Sequence, residues 1–198
     1  MITFTEFVER YFSDHCYHRI GARTHTLGKT IDEFFTRRES GERPLLPVPF
    51  FGCGLTTTAE AILAYAVHRG DRFVVYVTYN NDAADEFGRR LENLVNDRRQ
   101  LIYRRQPRDR GTEPVTLLHA AGVNSQCNGL NRTVRDHTEA FRDGDRWEGV
   151  GRRIVRPDLV VIDAPYTDEV WRSPTRIEQT RRAAKQWEQL GPTIHLYR

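Results

Sequence analysis

Apolar residues along this chain fall into two alternating patterns. In one they recur at helical spacing, and in the other they form short unbroken runs. Residues 5–12 (TEFVERYF) predict a short amphipathic helix. Residues 25–38 predict a second, with Leu27, Ile31, Phe34 and Phe35 on one face. Residues 45–51 (LLPVPFF) are a short apolar run holding two prolines, an imperfect strand. A Gly-rich turn leads to a buried helix over 58–68 (TAEAILAYAVH). Residues 72–79 (RFVVYVTY) are the clearest strand, β-branched and nearly continuous, as in a sheet covered on both faces. Asn81 or Asp82 is then expected to cap a helix to about Val95, with Ala84, Phe87, Leu91, Leu94 and Val95 on its apolar face. Shorter strands are expected at 101–104 and 115–119, and a loop or insertion at 120–151. Residues 154–162 end in a strand running into Asp163. Ser173 and Pro174 open a helix to about Leu190, and 193–197 (TIHLY) is the last strand.

Strands alternating with helices predict an α/β fold, a mostly parallel sheet flanked by helices. The 198 residues suit a single domain. No apolar run is long enough to span a membrane and no secretory leader is evident, so a cytoplasmic location is expected, host cytoplasm if the chain is viral. Three widely spaced cysteines (Cys16, Cys53, Cys127) make neither a disulfide framework nor a zinc-like pattern.

Charge changes this picture locally rather than globally. The net charge is only +3, but residues 98–110 hold six Arg against one Asp, and residues 171–198 hold six Lys or Arg against two Glu. Arg98, Arg99, Arg104 and Arg105 are the candidate nucleic-acid contacts, with a solvated basic face as the plain alternative.

Ligands of open α/β sheets bind at the carboxyl ends of strands, which directs attention to two loops. The first, Pro49 to Thr56, reads PFFGCGLT. A P-loop needs glycines that let backbone N–H groups surround phosphates, a Lys that reaches them, and a Ser or Thr for Mg²⁺. Gly52, Cys53 and Gly54 supply the turn, Thr56 and Thr57 the hydroxyls, but Leu55 stands at the lysine position. Gly28-Lys29-Thr30 imitates the end of such a motif, yet no strand precedes it and it opens an amphipathic helix. The second loop follows DLVVIDAP, residues 158–165, where Asp163 ends a strand as a carboxylate for Mg²⁺ would. The neighbouring position, which in hydrolytic sites carries a second acid to orient water, is Ala164.

These stretches resemble the ATPase domain of phage terminase large subunits, the motors that package viral DNA. Residues 18–96 and 156–191 carry the resemblance in order, through HRIGARTHTLGKTIDEFFTRRESGE, PFFGCGLTTTAEAILAYAVHRGDRFVVYVTYN, NDAADEFGRRLENLV and RPDLVVIDAPYTDEVWRSPTRIEQTRR. The resemblance implies a P-loop NTPase-like fold over 1–198. It implies ATP and Mg²⁺ as cofactors, a cofactor-binding stretch of Gly52, Cys53, Gly54, Leu55, Thr56 and Thr57 with the phosphate contacts on Gly52, Gly54 and Thr56, and metal ligation by Thr56 and Asp163. Asp163 and Glu169 would be catalytic, with Asp168 or Glu169 orienting water. Double-stranded DNA, the portal or other terminase components, and further copies of the chain would be the partners. Leu55 and Ala164 depart from the family pattern, so hydrolysis is expected to be impaired or absent, and enzyme activity is left open. Were the site active, Arg43 or an arginine from a neighbouring subunit would replace the lysine. The alternative is a basic nucleic-acid-binding protein without nucleotide chemistry.

Overall fold

The structure, a computed structural model, describes residues 2–11, 23–49, 55–95, 101–103, 116–125, 127, 132–135, 152–163 and 165–197. Among these the helices are α1 (Phe4–Tyr11), α2 (Arg23–Glu39), α3 (Leu55–His68), α4 (Asn81–Val95), α5 (Asp168–Trp171) and α6 (Pro174–Glu188). The strands are β1 (Leu45–Pro49), β2 (Phe73–Thr78), β3 (Leu101–Tyr103), β4 (Thr116–Gly122), β5 (Arg132–Arg135), β6 (Arg152–Val155), β7 (Leu159–Asp163) and β8 (Thr193–Tyr197). Six strands form one sheet in the order β1-β8-β7-β2-β4-β3, and every neighbouring pair is parallel. The α/β fold read from the alternation is the one present. No helix among the described residues is long and apolar enough to cross a membrane.

Side chains alternate across the sheet and fill two apolar layers. On one face Val74, Tyr76, Leu159, Val161, Ile194 and Leu196 pack against α1, α2, α3 and α4. On the other, Phe73, Val75, Val77, Val160 and Ile162 pack against Ala184 and Trp187 of α6. Strands β2 and β7 are buried along their whole lengths, which explains their unbroken apolar sequences.

Several boundaries differ from the sequence reading for local reasons. Asn80, not Asn81 or Asp82, caps α4: its Oδ1 accepts from the Ala83 N–H at 2.8 Å. Asn81 instead accepts from Gly122 N–H and from the Ser125 hydroxyl, both at 2.8 Å, tying the end of β4 to the start of α4. A Cβ on Gly122 would lie 2.8 Å from the Asn80 carbonyl carbon, so this approach requires glycine. The run 154–162 ends in β7, which runs into Asp163 as expected, and the separate strand β6 precedes it across Arg156-Pro157-Asp158. Asp158 accepts from the N–H groups of Arg72 and Phe73 and so starts β7 beside β2. Within 120–151, residues up to Gly122 complete β4, and β5 pairs antiparallel with β6 in a separate ribbon. Ser173 caps α6 with Pro174 following, as expected.

Two further features bear on the site. Gly28 lies inside α2, where a Cβ would collide with the Thr5 hydroxyl of α1, while Lys29 is exposed. The Gly-Lys-Thr triplet is therefore a helix-crossing point and not a phosphate loop. In β1, the Pro44 carbonyl accepts from the Thr193 N–H, so residues 44, 46 and 48 face β8 and residues 45, 47 and 49 face the open side. Pro47 and Pro49 thus occupy positions where no ladder donor is lost.

Candidate functional site

Because the sheet is parallel, Pro49, Thr78, Gly122, Asp163 and Tyr197 end their strands at one edge. Helix α3 begins at Leu55, at the same edge. Register makes the placement finer. Val48, Leu196 and Asp163 are level across β1, β8 and β7. Val48 and Leu196 point into the layer shared with α3, so Asp163 stands on the α3 side of the sheet. One strand separates β7 from β1, a spacing of about 10 Å. The ends of β1 and β7, from which the two loops depart, therefore lie at one edge.

Gly52, Cys53 and Gly54 lie outside the described residues, as do Ala164, Arg98, Arg99, Arg104 and Arg105. Leu55 is the first residue of α3. Thr56 and Thr57 are half-buried on its first turn, and Thr58 is fully buried. Arg43 precedes β1, at the amino edge of the sheet. The five residues of β1 separate it from the carboxyl edge by about 16 Å, so Arg43 does not stand in for the missing lysine.

Asp163 is only 2% exposed. Its Oδ2 accepts a hydrogen bond from the Tyr76 hydroxyl at 2.7 Å. The strand register explains this contact. Tyr76 is opposite Val161, which places Asp163 two residues on, a diagonal neighbour on the same face and within reach of a long aromatic side chain. Tyr76 is itself held flat against Phe87 of α4, with centroids 3.5 Å apart and planes at 8°. Arg90 lies at the outer limit of about 6 Å for a cation–π contact with Phe87: its guanidinium carbon is 5.9 Å from the ring centroid, and it pairs with Glu60 of α3. Burial pushes the Tyr76 phenol far above its ordinary value, and the Asp163 charge and hydrogen bond push the same way. The phenol is therefore a fixed donor at any working pH. Leaving it buried without its acceptor would cost about 1–3 kcal/mol.

Glu169 sits in a different environment. It lies in the single turn α5, is 81% exposed, and reaches Arg176 at 3.3 Å. Asp168 beside it is also exposed. Asp163 faces the interior with Tyr76 while Glu169 faces solvent with Arg176, so the two proposed catalytic carboxylates differ in surroundings and partners.

Tyr76, Phe87 and the Glu60–Arg90 pair were not distinguished by sequence reasoning. A tyrosine inside an otherwise apolar strand was the available signal, since a buried phenol requires a partner. Which partner depended on strand order, which the sequence does not state.

On the opposite face of β8, His195 is mostly buried, with Nδ1 3.1 Å from Glu188 Oε1. Burial lowers its pKa, with Glu188 acting against that. A depressed histidine contributes stability that is present above its unfolded value and is lost as pH falls toward the folded one. Stability is therefore expected to decline on acidification below about pH 6.5. His195→Gln should flatten that segment of a urea-midpoint-versus-pH curve, and an unchanged slope would contradict the assignment.

A scan of the chain against protein-family models gives no match, and a search among curated proteins gives none either.

Proposed function

We propose that this chain is a terminase-like ATPase-fold domain, related to viral DNA packaging, that binds a nucleotide and hydrolyses it poorly or not at all. The observation that carries the reading is the level alignment of Asp163 with the end of β1, on the face covered by α3. This is where a phosphate loop and a strand-end carboxylate would have to meet. The start of α3 at Leu55 adds the positive end of a 14-residue helix to that edge. ATP is the proposed ligand, and double-stranded DNA and other packaging components are the proposed partners.

The same residues support weak chemistry. Leu55 brings no cation to the phosphates, and preorganised charge is often the largest catalytic contribution in such sites. Ala164 cannot orient water, and Glu169 is turned to Arg176 in solvent.

Titration of the purified protein with a fluorescent ATP analogue tests the proposal. Saturable binding is expected, displaced by unlabelled ATP and weakened by Gly54→Val, with turnover indistinguishable from buffer. Leu55→Lys adds one charge-assisted contact and should tighten binding about 10- to 100-fold. Absence of binding at millimolar nucleotide, in both wild type and Leu55→Lys, would sink the reading.

A further inference from the structure

The resemblance to packaging ATPases implies a Mg²⁺ ion at Asp163, and the residues at this edge do not fit one. Mg²⁺ demands near-ideal octahedral geometry and is held in such sites through one or two carboxylates together with substrate phosphates and water. The carboxylate here is 2% exposed, and one of its oxygens is already taken by a phenol at 2.7 Å. That phenol is not free to leave. Its ring is clamped flat on Phe87, and the residue is 2% exposed, so turning away would cost the buried hydroxyl its carboxyl acceptor.

We infer that Asp163 is a structural acceptor that locks β7 to β2 through Tyr76, and that it is not a Mg²⁺ ligand. Nucleotide binding at this edge is accordingly independent of divalent metal. The second statement rests on the proposed nucleotide-binding reading, while the first stands without it.

The tie joins the last residue of β7 to the middle of β2, next to the point where the chain leaves the sheet for α5. At 2.7 Å the phenol–carboxyl contact has the length of a well-formed O–H···O hydrogen bond. Here it takes the place of the coordination bonds that would otherwise hold such a carboxylate. The arrangement also accounts for why a lone acid suffices at this position, with Ala164 beside it.

The experiment has two arms. In the first, wild-type protein is titrated with Mn²⁺ alone, followed by electron paramagnetic resonance, and with the fluorescent ATP analogue in Mg²⁺ or in EDTA. No Mn²⁺ site that depends on Asp163 is expected, and the nucleotide affinity should change less than about twofold between the two buffers. In the second, urea unfolding is measured for Tyr76→Phe, Asp163→Asn and the double variant. Tyr76→Phe should raise the unfolding equilibrium constant about tenfold or more. The double variant should fall short of the product of the single effects by about fivefold or more, the signature of a direct contact.

A Mn²⁺ site abolished by Asp163→Asn would overturn the inference. So would a tenfold Mg²⁺ enhancement of nucleotide affinity lost in that variant, or strictly additive unfolding effects. If the analogue does not bind in either buffer, the nucleotide reading fails by itself. The Mn²⁺ titration and the double-mutant cycle still decide the role of Asp163. If a variant does not fold, the wild-type arm still decides: equal nucleotide affinity in Mg²⁺ and EDTA supports the inference, and a tenfold Mg²⁺ enhancement overturns it.

Discussion

Arg38→Ala should destabilise the protein by about 3–5 kcal/mol, because it strands a buried carboxylate. Arg38 reaches from α2 to the amino edge of the sheet and holds Asp71 with two parallel bonds, at 2.5 and 2.8 Å. Only 12% and 8% of the two side chains are exposed, so water does little to screen the pair. The same guanidinium donates to the Asp158 carbonyl at 3.3 Å and lies over the Phe35 ring at 4.6 Å. The Asp71 carbonyl accepts from the Thr116 hydroxyl. One arginine thus fastens α2 to the starts of β2 and β7, and Asp71 extends the link to β4. Burial raises the Asp71 pKa even with Arg38 opposing it. A carboxyl whose folded pKa is raised contributes most below its unfolded value and loses that contribution as pH rises through the folded one. Without Arg38 the folded value rises further, so the deficit should shrink as the solution is acidified. Urea unfolding of Arg38→Ala at a series of pH values reads both effects. A loss under 1 kcal/mol, or one that does not vary with pH, would show that the pair does not hold this edge together. Replacing both residues together, as Arg38→Leu with Asp71→Asn, should recover a large part of the loss.

Trp187→Ala is the second large effect, also about 3–5 kcal/mol. Trp187 is fully buried between α6 and the sheet, in the layer formed by Phe73, Val75, Val77, Val160 and Ile162. Its indole N–H donates to the Val123 carbonyl at 2.9 Å, just beyond the end of β4. Truncation therefore leaves both a cavity and a carbonyl without its donor. Trp187→Phe separates the two, retaining most of the volume and losing only the hydrogen bond, at about 1–2 kcal/mol. Far-UV circular dichroism during urea unfolding suits both variants, since it does not depend on the indole removed. Equal losses in the two variants would mean that the hydrogen bond, not the packing, dominates.

The strands and helices that bury one continuous face were legible in the sequence. Phe73–Thr78, Pro174–Glu188 and Thr193–Tyr197 fall close to their expected bounds, because each is enclosed by strong signals: an apolar run, a Ser-Pro opening, a Gly-Pro stop. What was not legible depended on partners distant in the chain. Asn80 outcompetes Asn81 as a cap because Asn81 is occupied by Gly122 and Ser125, some forty residues on. The break before β7 follows from Asp158 meeting the start of β2. At the site, the Asp at the end of an apolar strand was visible, and so was the absence of a lysine. The Tyr76–Asp163 contact was not, because it requires β2 and β7 to be neighbours although about eighty residues separate them.

The two prolines of β1 have a consequence for how this protein meets others of its kind. A sheet grows when a foreign strand finds a row of unused donors and acceptors along its border. Of the three outward-facing residues there, Leu45, Pro47 and Pro49, two carry no N–H, so a newcomer would find most of its carbonyls unanswered. Fibre-like stacking through this border is disfavoured at the level of the backbone, whatever the solution conditions. A partner that meets this border would have to be held through side-chain surfaces, where recognition is more selective.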